Sequence, residues 1–178
     1  MRKLAERNVG RAIDLLNERL AFERTGVRLY DRMLLRMRLA ENGEVQRMVD
    51  RMQRYRDQER EHEEWLKDQI RALGGDDHVP TEKSVLVLAE TQGIERVVHR
   101  DPRLDHDFHA LLTAELADTA GWDLLVRMAE HFGDREAQRE FRQRLREEQE
   151  HVLFVRKVVE RFLERELRDQ QPVPVSYL

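Results

Sequence analysis

Four stretches of this chain repeat apolar residues at alternating spacings of three and four, the period of one buried face of an α-helix. The first carries Val9, Ile13, Leu16, Leu20, Val27, Tyr30, Leu34 and Met37. The second carries Val45, Met48, Met52, Tyr55, Leu66 and Leu73, and stops at Gly74-Gly75, a helix-ending pair. The third carries Leu104, Phe108, Leu111, Trp122, Leu125 and Ala129, and the fourth Ala137, Phe141, Leu145, Val155, Val158 and Phe162. Stripes of this kind are buried against one another, so the expected fold class is all-α, an antiparallel four-helix bundle. Composition agrees. Charged residues are 38% of the 178 and aromatics only 6%, a mix rich in Arg, Glu, Leu and Ala that favours long helices over strands.

Each stripe is interrupted by residues that do not belong in an apolar seam. Glu23 sits in the middle of the first, Glu59 and His62 in the second, Glu115 and Asp118 in the third, Glu148 and His151 in the fourth. The order along the chain is Glu, Glu-x-x-His, Glu, Glu-x-x-His. A Glu-x-x-His places a carboxylate and an imidazole on one helix face, one turn apart, and this ordered set is the one a four-helix bundle uses to hold two carboxylate-bridged metal ions. Four buried carboxylates converging at mid-bundle need positive charge among them, which two divalent cations supply. One Glu-x-x-His alone would be unremarkable in so acidic a chain; two pairs and two singles, in order and all on stripes, are not. The remaining histidines (His78, His99, His106, His109 and His131) lack a Glu three residues earlier and are assigned no role.

The chain also reads as a duplicated helical hairpin. Aligning Glu23 with Glu115 sets Tyr30-Asp31 opposite Trp122-Asp123, seven positions on in both halves, and Glu59/His62 corresponds to Glu148/His151. Residues 74 to 103 must then carry the chain back along the bundle, because the second and third long helices run parallel if the ligands are to meet. Ser84 to Ala89 and Ile94 to Val98 read as short helical or extended pieces on the outside, punctuated by Pro80 and Asp101-Pro102. Residues 1–167 form the expected bundle and 168–178, with Pro172 and Pro174, a tail.

Charge and cysteine usage narrow the partners. Lys and Arg number 32 against 36 Asp and Glu, a formal net charge of −4. No segment is basic enough to argue for nucleic acid. No apolar run is long enough to cross a bilayer, and the opening residues turn polar before any apolar run, so a cytoplasmic protein without a signal peptide is expected. Without cysteine there is no disulfide, thiolate nucleophile or iron–sulfur site.

At residues Glu23, Glu59, His62, Glu115, Glu148 and His151, with Tyr30, the chain resembles the ferritin-like superfamily, closest in ligand set to its rubrerythrin and bacterioferritin branches. The resemblance covers about residues 5 to 167. It implies a ferritin-like antiparallel bundle with a long crossover between the second and third ligand helices. It also implies that Glu59 and His62 serve one metal with Glu23, and Glu148 and His151 the other with Glu115, while Glu59 and Glu148 bridge. A tyrosine seven residues after the first ligand lies beside the metals in these families, which gives Tyr30 a catalytic role. Rubrerythrins carry an additional movable glutamate one turn after the third ligand; Asp118 stands there, one methylene shorter, either orienting a ligand histidine or satisfied by an arginine or water. The sequence departs from the family in lacking the four cysteines of a rubredoxin domain, so an external electron donor is implied. It also departs from cage-forming ferritins in lacking a short fifth helix.

Oxygen and nitrogen donors in this ratio suit iron or manganese. The implied cofactors are two iron ions, with manganese as the other candidate. The implied activity is oxidation of Fe(II) with O2 or H2O2, detoxifying iron or peroxide. The competing readings are a metal-binding or storage protein or a structural bundle without turnover, and a diiron oxygenase acting on an organic substrate. Long helices that pair side by side favour a homo-oligomer, a dimer first, with the Val/Leu-rich crossover as a contact surface.

Overall fold

Asn8 begins the first long helix: its side chain accepts from the backbone N–H of Arg11 at 3.0 Å, satisfying one of the amides a helix start leaves free. In the computed structural model, which describes residues 1–168, a short α1 (Arg2–Arg7) precedes that long helix, α2 (Val9–Leu39). There follow α3 (Gly43–Gln46), α4 (Val49–Ala72), α5 (Glu82–Arg100), α6 (Leu104–His131) and α7 (Arg135–Arg168), with no strand among the described residues. Gly74 after α4 and Gly133 after α6 take φ of +80° and +68°, the left-handed conformation that ends helices and suits glycine. Asp134 then caps α7, accepting from the amide of Ala137 at 3.1 Å, and ties Leu4 to the same point at 3.2 Å.

The long helices form two antiparallel hairpins. Ion pairs Arg56–Asp31 (2.7 Å) and Arg24–Glu63 (3.4 Å) join α2 to α4, and the ring pairs Phe108–Phe162 and Trp122–Phe141 join α6 to α7. Helices α4 and α6 run parallel, so the chain between them must travel the length of the bundle. It does so as one helix, not as the short helical or extended pieces expected. The reason is local: Thr81 and Ser84 form a reciprocal capping box, and no proline follows until Pro102. Helix α5 lies along α2, fixed at one end by the Lys83 amide on Asp14 (3.0 Å) and at the other by Arg28 on Glu95. Val87 packs there on Ala21 and Phe22.

Two further departures concern the stripes. Val9 is half exposed, outside the core. The second stripe is broken after Val45, which is buried from within α3, while α4 starts only at Val49. The tail expected over 168–178 lies outside the described residues past Arg168.

The apolar interior comes in two halves. One contains Leu29, Met33, Met37, Met52, Phe108 and Val155; the other contains Leu16, Leu20, Leu66, Ile70, Leu125 and Phe141. Between them runs a charged layer of Glu23, Glu59, His62, Glu115, Asp118, Glu148 and His151, all buried.

Candidate metal centre

One long helix delivers each part of this layer. Ligand-type atoms of Glu59, Glu115, Glu148 and His151 lie within 4.8 Å of one another, as do those of Glu23, His62 and Glu148. Glu148 belongs to both groups. Its Oε1 is 2.9 Å from Nδ1 of His62 and its Oε2 is 3.3 Å from Nδ1 of His151. Glu23 is 3.3 Å from His62, while Glu59 and Glu115 stand 3.2 and 3.5 Å from His151. The imidazole beside Glu59 is thus that of the opposite Glu-x-x-His. Glu59 also meets Glu23, Asp118 and Glu148 in a third group, so it too faces both halves of the layer.

Six of the inward atoms lack a satisfactory partner. Glu23 Oε2, Glu115 Oε2, both oxygens of Glu148 and Nδ1 of both histidines are buried without a hydrogen bond of acceptable geometry. Buried polar atoms are rarely left so, because each costs about 1–3 kcal/mol. Their outward counterparts, by contrast, are well held. Tyr30 donates its hydroxyl to Glu115 Oε1 at 2.5 Å, and the Trp122 indole N–H donates to Glu23 Oε1 at 2.8 Å. Nε2 of His62 meets Glu147 Oε2 at 2.7 Å, and Nε2 of His151 meets Gln58 Oε1 at 3.0 Å. With Nε2–H donating outward, Nδ1 is the ring atom each histidine turns inward, and loss of its proton would free the lone pair a metal requires. The donor set fits a pair of divalent cations.

The pairing has a symmetry. The residue seven positions after each single glutamate bonds the glutamate of the other hairpin. The residue just before each Glu-x-x-His glutamate, Gln58 or Glu147, reaches across to the opposite histidine. Trp122, on packing grounds a core aromatic, is therefore also a hydrogen-bond donor to Glu23. Gln58 and Glu147 sit off the stripes, where apolar periodicity does not mark them; their equivalent positions in the two hairpins are the sequence signal they carry. Asp118 is satisfied by an arginine: buried Arg19 donates to its carboxylate and, at 3.0 Å, to its backbone carbonyl.

Protons gather in this layer. Burial pushes the Glu59 carboxyl well above the usual range, and the charges of Glu148 and Glu23 add to that. Burial likewise raises Glu115 and Asp118. Burial works against protonation of the two imidazoles but is overcome, for His62 chiefly by Glu23 and for His151 chiefly by Glu148, so both are raised well above the ordinary histidine value. Glu148 is the exception: burial opposes its charge, yet His151 and His62 hold it ionised, below the usual carboxylate range.

Gly26 on α2 is a further member of the site. A Cβ built there would fall 2.1 Å from Oε2 of Glu59, so only glycine lets this carboxylate occupy its place. In Gly26→Ala the helix itself gains, by about 1 kcal/mol of propensity, while Glu59 is displaced. The expected outcome is unchanged helicity in the metal-free protein with metal affinity reduced about tenfold or more, measured by competition with a chromophoric chelator. Unaltered affinity would show that the carboxylate's position is not needed.

Comparison with known proteins gives the family and the fold. The rubrerythrin family model matches residues 14–159, and the chain belongs to that family. A solved structure of ferritin-like, diiron-carboxylate proteins from Bacillus anthracis strain Ames is similar, with a TM-score of 0.66 and 15% identity, covering 85% of this chain and 96% of that one. At that identity the likeness shows the fold alone, a ferritin-like four-helix bundle. No curated protein matches the chain. No helix among the described residues is long and apolar enough to cross a membrane.

Proposed function

We propose that Glu23, Glu59, His62, Glu115, Glu148 and His151 hold two iron ions and that the protein is an oxidoreductase oxidising Fe(II) with O2 or H2O2. The observation that carries this reading is the set of buried, unpartnered donor atoms that converge between the two core halves. When bound, a pair of iron ions supplies two electrons together to a small oxidant. The chain's own residues do the rest. Glu148 and Glu59 each face both halves of the layer and would be the carboxylates available to both ions. Trp122 and Tyr30 restrain the single glutamates Glu23 and Glu115 while leaving one oxygen of each free to change its contacts. Tyr30 is the proposed catalytic residue: its hydroxyl holds a proton at Glu115, and burial raises its own pKa well above 10, so the phenol stays protonated. The apolar halves exclude water on either side. A small hollow of about 10 Å³ beside Glu59 and Glu115, bounded by Phe22, Gly26 and Leu111 among others, has the room of about one water.

The test is metal content followed by anaerobic Fe(II) titration and exposure to O2 or to H2O2. Two ions per chain, and a near-ultraviolet band of oxo-bridged ferric iron after oxidation, are expected. Tight binding without any reaction would leave a storage or structural bundle, and failure to bind Fe(II) or Mn(II) would remove the reading altogether.

Binding should also release protons. Glu59, Glu115, His62 and His151 all have raised pKa values in the metal-free protein, so lowering the pH stabilises the metal-free form and weakens binding. Because the imidazoles are held above the ordinary value of about 6.5, affinity for redox-silent Mn(II) should still be rising through neutral pH and above. Titrations from acid to mildly alkaline pH check this, and an affinity flat above pH 6.5 would contradict it.

A further inference from the structure

The groove between α4 and α7 is chemically unlike the rest of the surface. The chain carries net negative charge, yet Arg47, Arg51, Arg54, Lys157 and Arg161 line one end of this groove, five cations beside two carboxylates, Asp50 and Glu44. None of the five takes part in an ion pair among the described residues. Arg47 reaches only the carbonyl of Gly43, Arg51 lies over the ring of Phe154 at 5.0 Å, and the nearby Glu44 is already paired with Arg165. Cations lining one hollow without ion-pair partners repel one another, and an anion among them relieves that repulsion. The other end of the groove is acidic, lined by Asp57, Glu61 and Glu150. Its floor is aromatic: Tyr55 meets Phe154 edge-on at 5.6 Å, and its far side packs on the His151 ring at 4.2 Å. The two adjoining hollows measure about 690 and 740 Å³ and share Arg51, Arg54, Phe154 and Lys157. That is the size of a small-molecule site.

We propose that this groove binds a nucleotide-type ligand, a planar heterocycle carrying a phosphate. The phosphate lies among Arg51, Arg54 and Lys157: the two guanidinium forks suit its oxygens and the ammonium adds a point charge. The ring lies against Tyr55 and Phe154, and its N–H and hydroxyl groups donate to the acidic end. This polarity sets the ligand apart from an acidic protein or a nucleic acid, whose uniform negative charge the carboxylates of Asp57, Glu61 and Glu150 would repel. The concavity favours a small molecule as well. A ring seated there stands one side chain from His151, so the site adjoins the metal centre without using any of its proposed ligands.

The experiment uses the full-length, metal-free protein, so its outcome does not depend on the metal reading. Flavin mononucleotide and AMP are titrated in by calorimetry, with riboflavin and inorganic phosphate as probes that keep only the ring or only the anion. One-to-one saturable binding of a nucleotide is expected, about tenfold or more tighter than either fragment probe and weakened by salt. Preference for flavin mononucleotide or for AMP identifies the ring. The triple variant Arg51→Glu, Arg54→Glu, Lys157→Glu should lose about tenfold or more with helical circular dichroism unchanged, since all three side chains are exposed. Phe154→Leu should weaken nucleotide binding by a larger factor than inorganic phosphate binding, which it touches only through the Arg51 guanidinium that lies over the ring. The proposal is overturned if neither nucleotide saturates, if riboflavin binds as well as its phosphate, or if the triple variant binds like the parent. Binding of polyglutamate that neither nucleotide displaces overturns it in favour of an acidic protein partner.

Discussion

Glu148→Gln is expected to abolish loading of both metal ions, where Glu115→Gln disables one. The asymmetry follows from geometry. Glu148 offers one oxygen toward His62 and the other toward His151, whereas Glu115 stands only in the His151 group. An amide keeps the shape but presents only one acceptor atom and no charge. We expect the affinity of each ion to fall about a hundredfold or more, ~2.7 kcal/mol. Metal analysis after loading gives the count directly. Thermal melting gives a second readout: ions that bind only the folded chain raise its Tm, and this rise should vanish in Glu148→Gln and persist in part in Glu115→Gln. A Glu148→Gln protein that still carries two ions would show that the shared carboxylate is not the bridge.

The metal-free form of the same variant tells a related story. Glu148 is held ionised because two imidazoles face it. Remove that charge and His62 and His151 lose their strongest shared anion, so their raised pKa values should relax. The charged layer is a mutually dependent cluster, and this is why it was legible in the sequence at all. A lone acid in a stripe is ambiguous, whereas Glu23, Glu59, His62, Glu115, Glu148 and His151 occur at matched heights on four helices.

What escaped the sequence escaped for physical reasons. Periodicity reads apolar residues and treats charges between them as solvated, so Arg19, one turn before Glu23, passes for a surface residue when it is buried. Gly26 reads as a mere weakness in a helix, since nothing in α2 itself shows that α4 sends a carboxylate against it. The crossover resisted for another reason. Helix α5 buries Ser84, Val87, Thr91 and Val98 while leaving Val85, Leu86 and Leu88 exposed, so its apolar residues do not mark its inner face. The Thr81 and Ser84 capping box was the better signal, because it depends on two neighbouring residues and not on tertiary burial.

Arg19→Met is expected to destabilise the metal-free protein by about 3–5 kcal/mol, the usual cost of breaking a buried ion pair from one side. Arg19 is 2% exposed and Asp118 5%; the guanidinium donates to both the carboxylate and the backbone carbonyl of Asp118 and stacks on Phe22 at 4.5 Å. It lies directly against Gly121, where an added Cβ would come within 2.2 Å of its Cζ. Gly121→Ala should therefore reproduce much of the loss without touching either charge. For a chain of this size the Arg19→Met loss corresponds to a fall in Tm on the order of 6–20 °C. The double variant Arg19→Met, Asp118→Leu should recover most of it, since apolar residues of similar volume replace a buried pair at little net cost. If the two single effects simply add, the pair is not coupled and Asp118 is satisfied some other way. The pair also has a consequence for the site. Asp118 shares a cluster with Glu23, Glu59 and Glu148, and Arg19 is the fixed cation that occupies it. Removing Arg19 leaves Asp118 as one more carboxylate facing the metals. Burial first and then Glu23 push its carboxyl up while Arg19 holds it down, so in the metal-free variant it should take up a proton at a higher pH than in the parent. The stability deficit of Arg19→Met should therefore shrink as the pH falls, because protonation neutralises the charge left unpaired, and urea unfolding at pH 5 and pH 8 measures the difference.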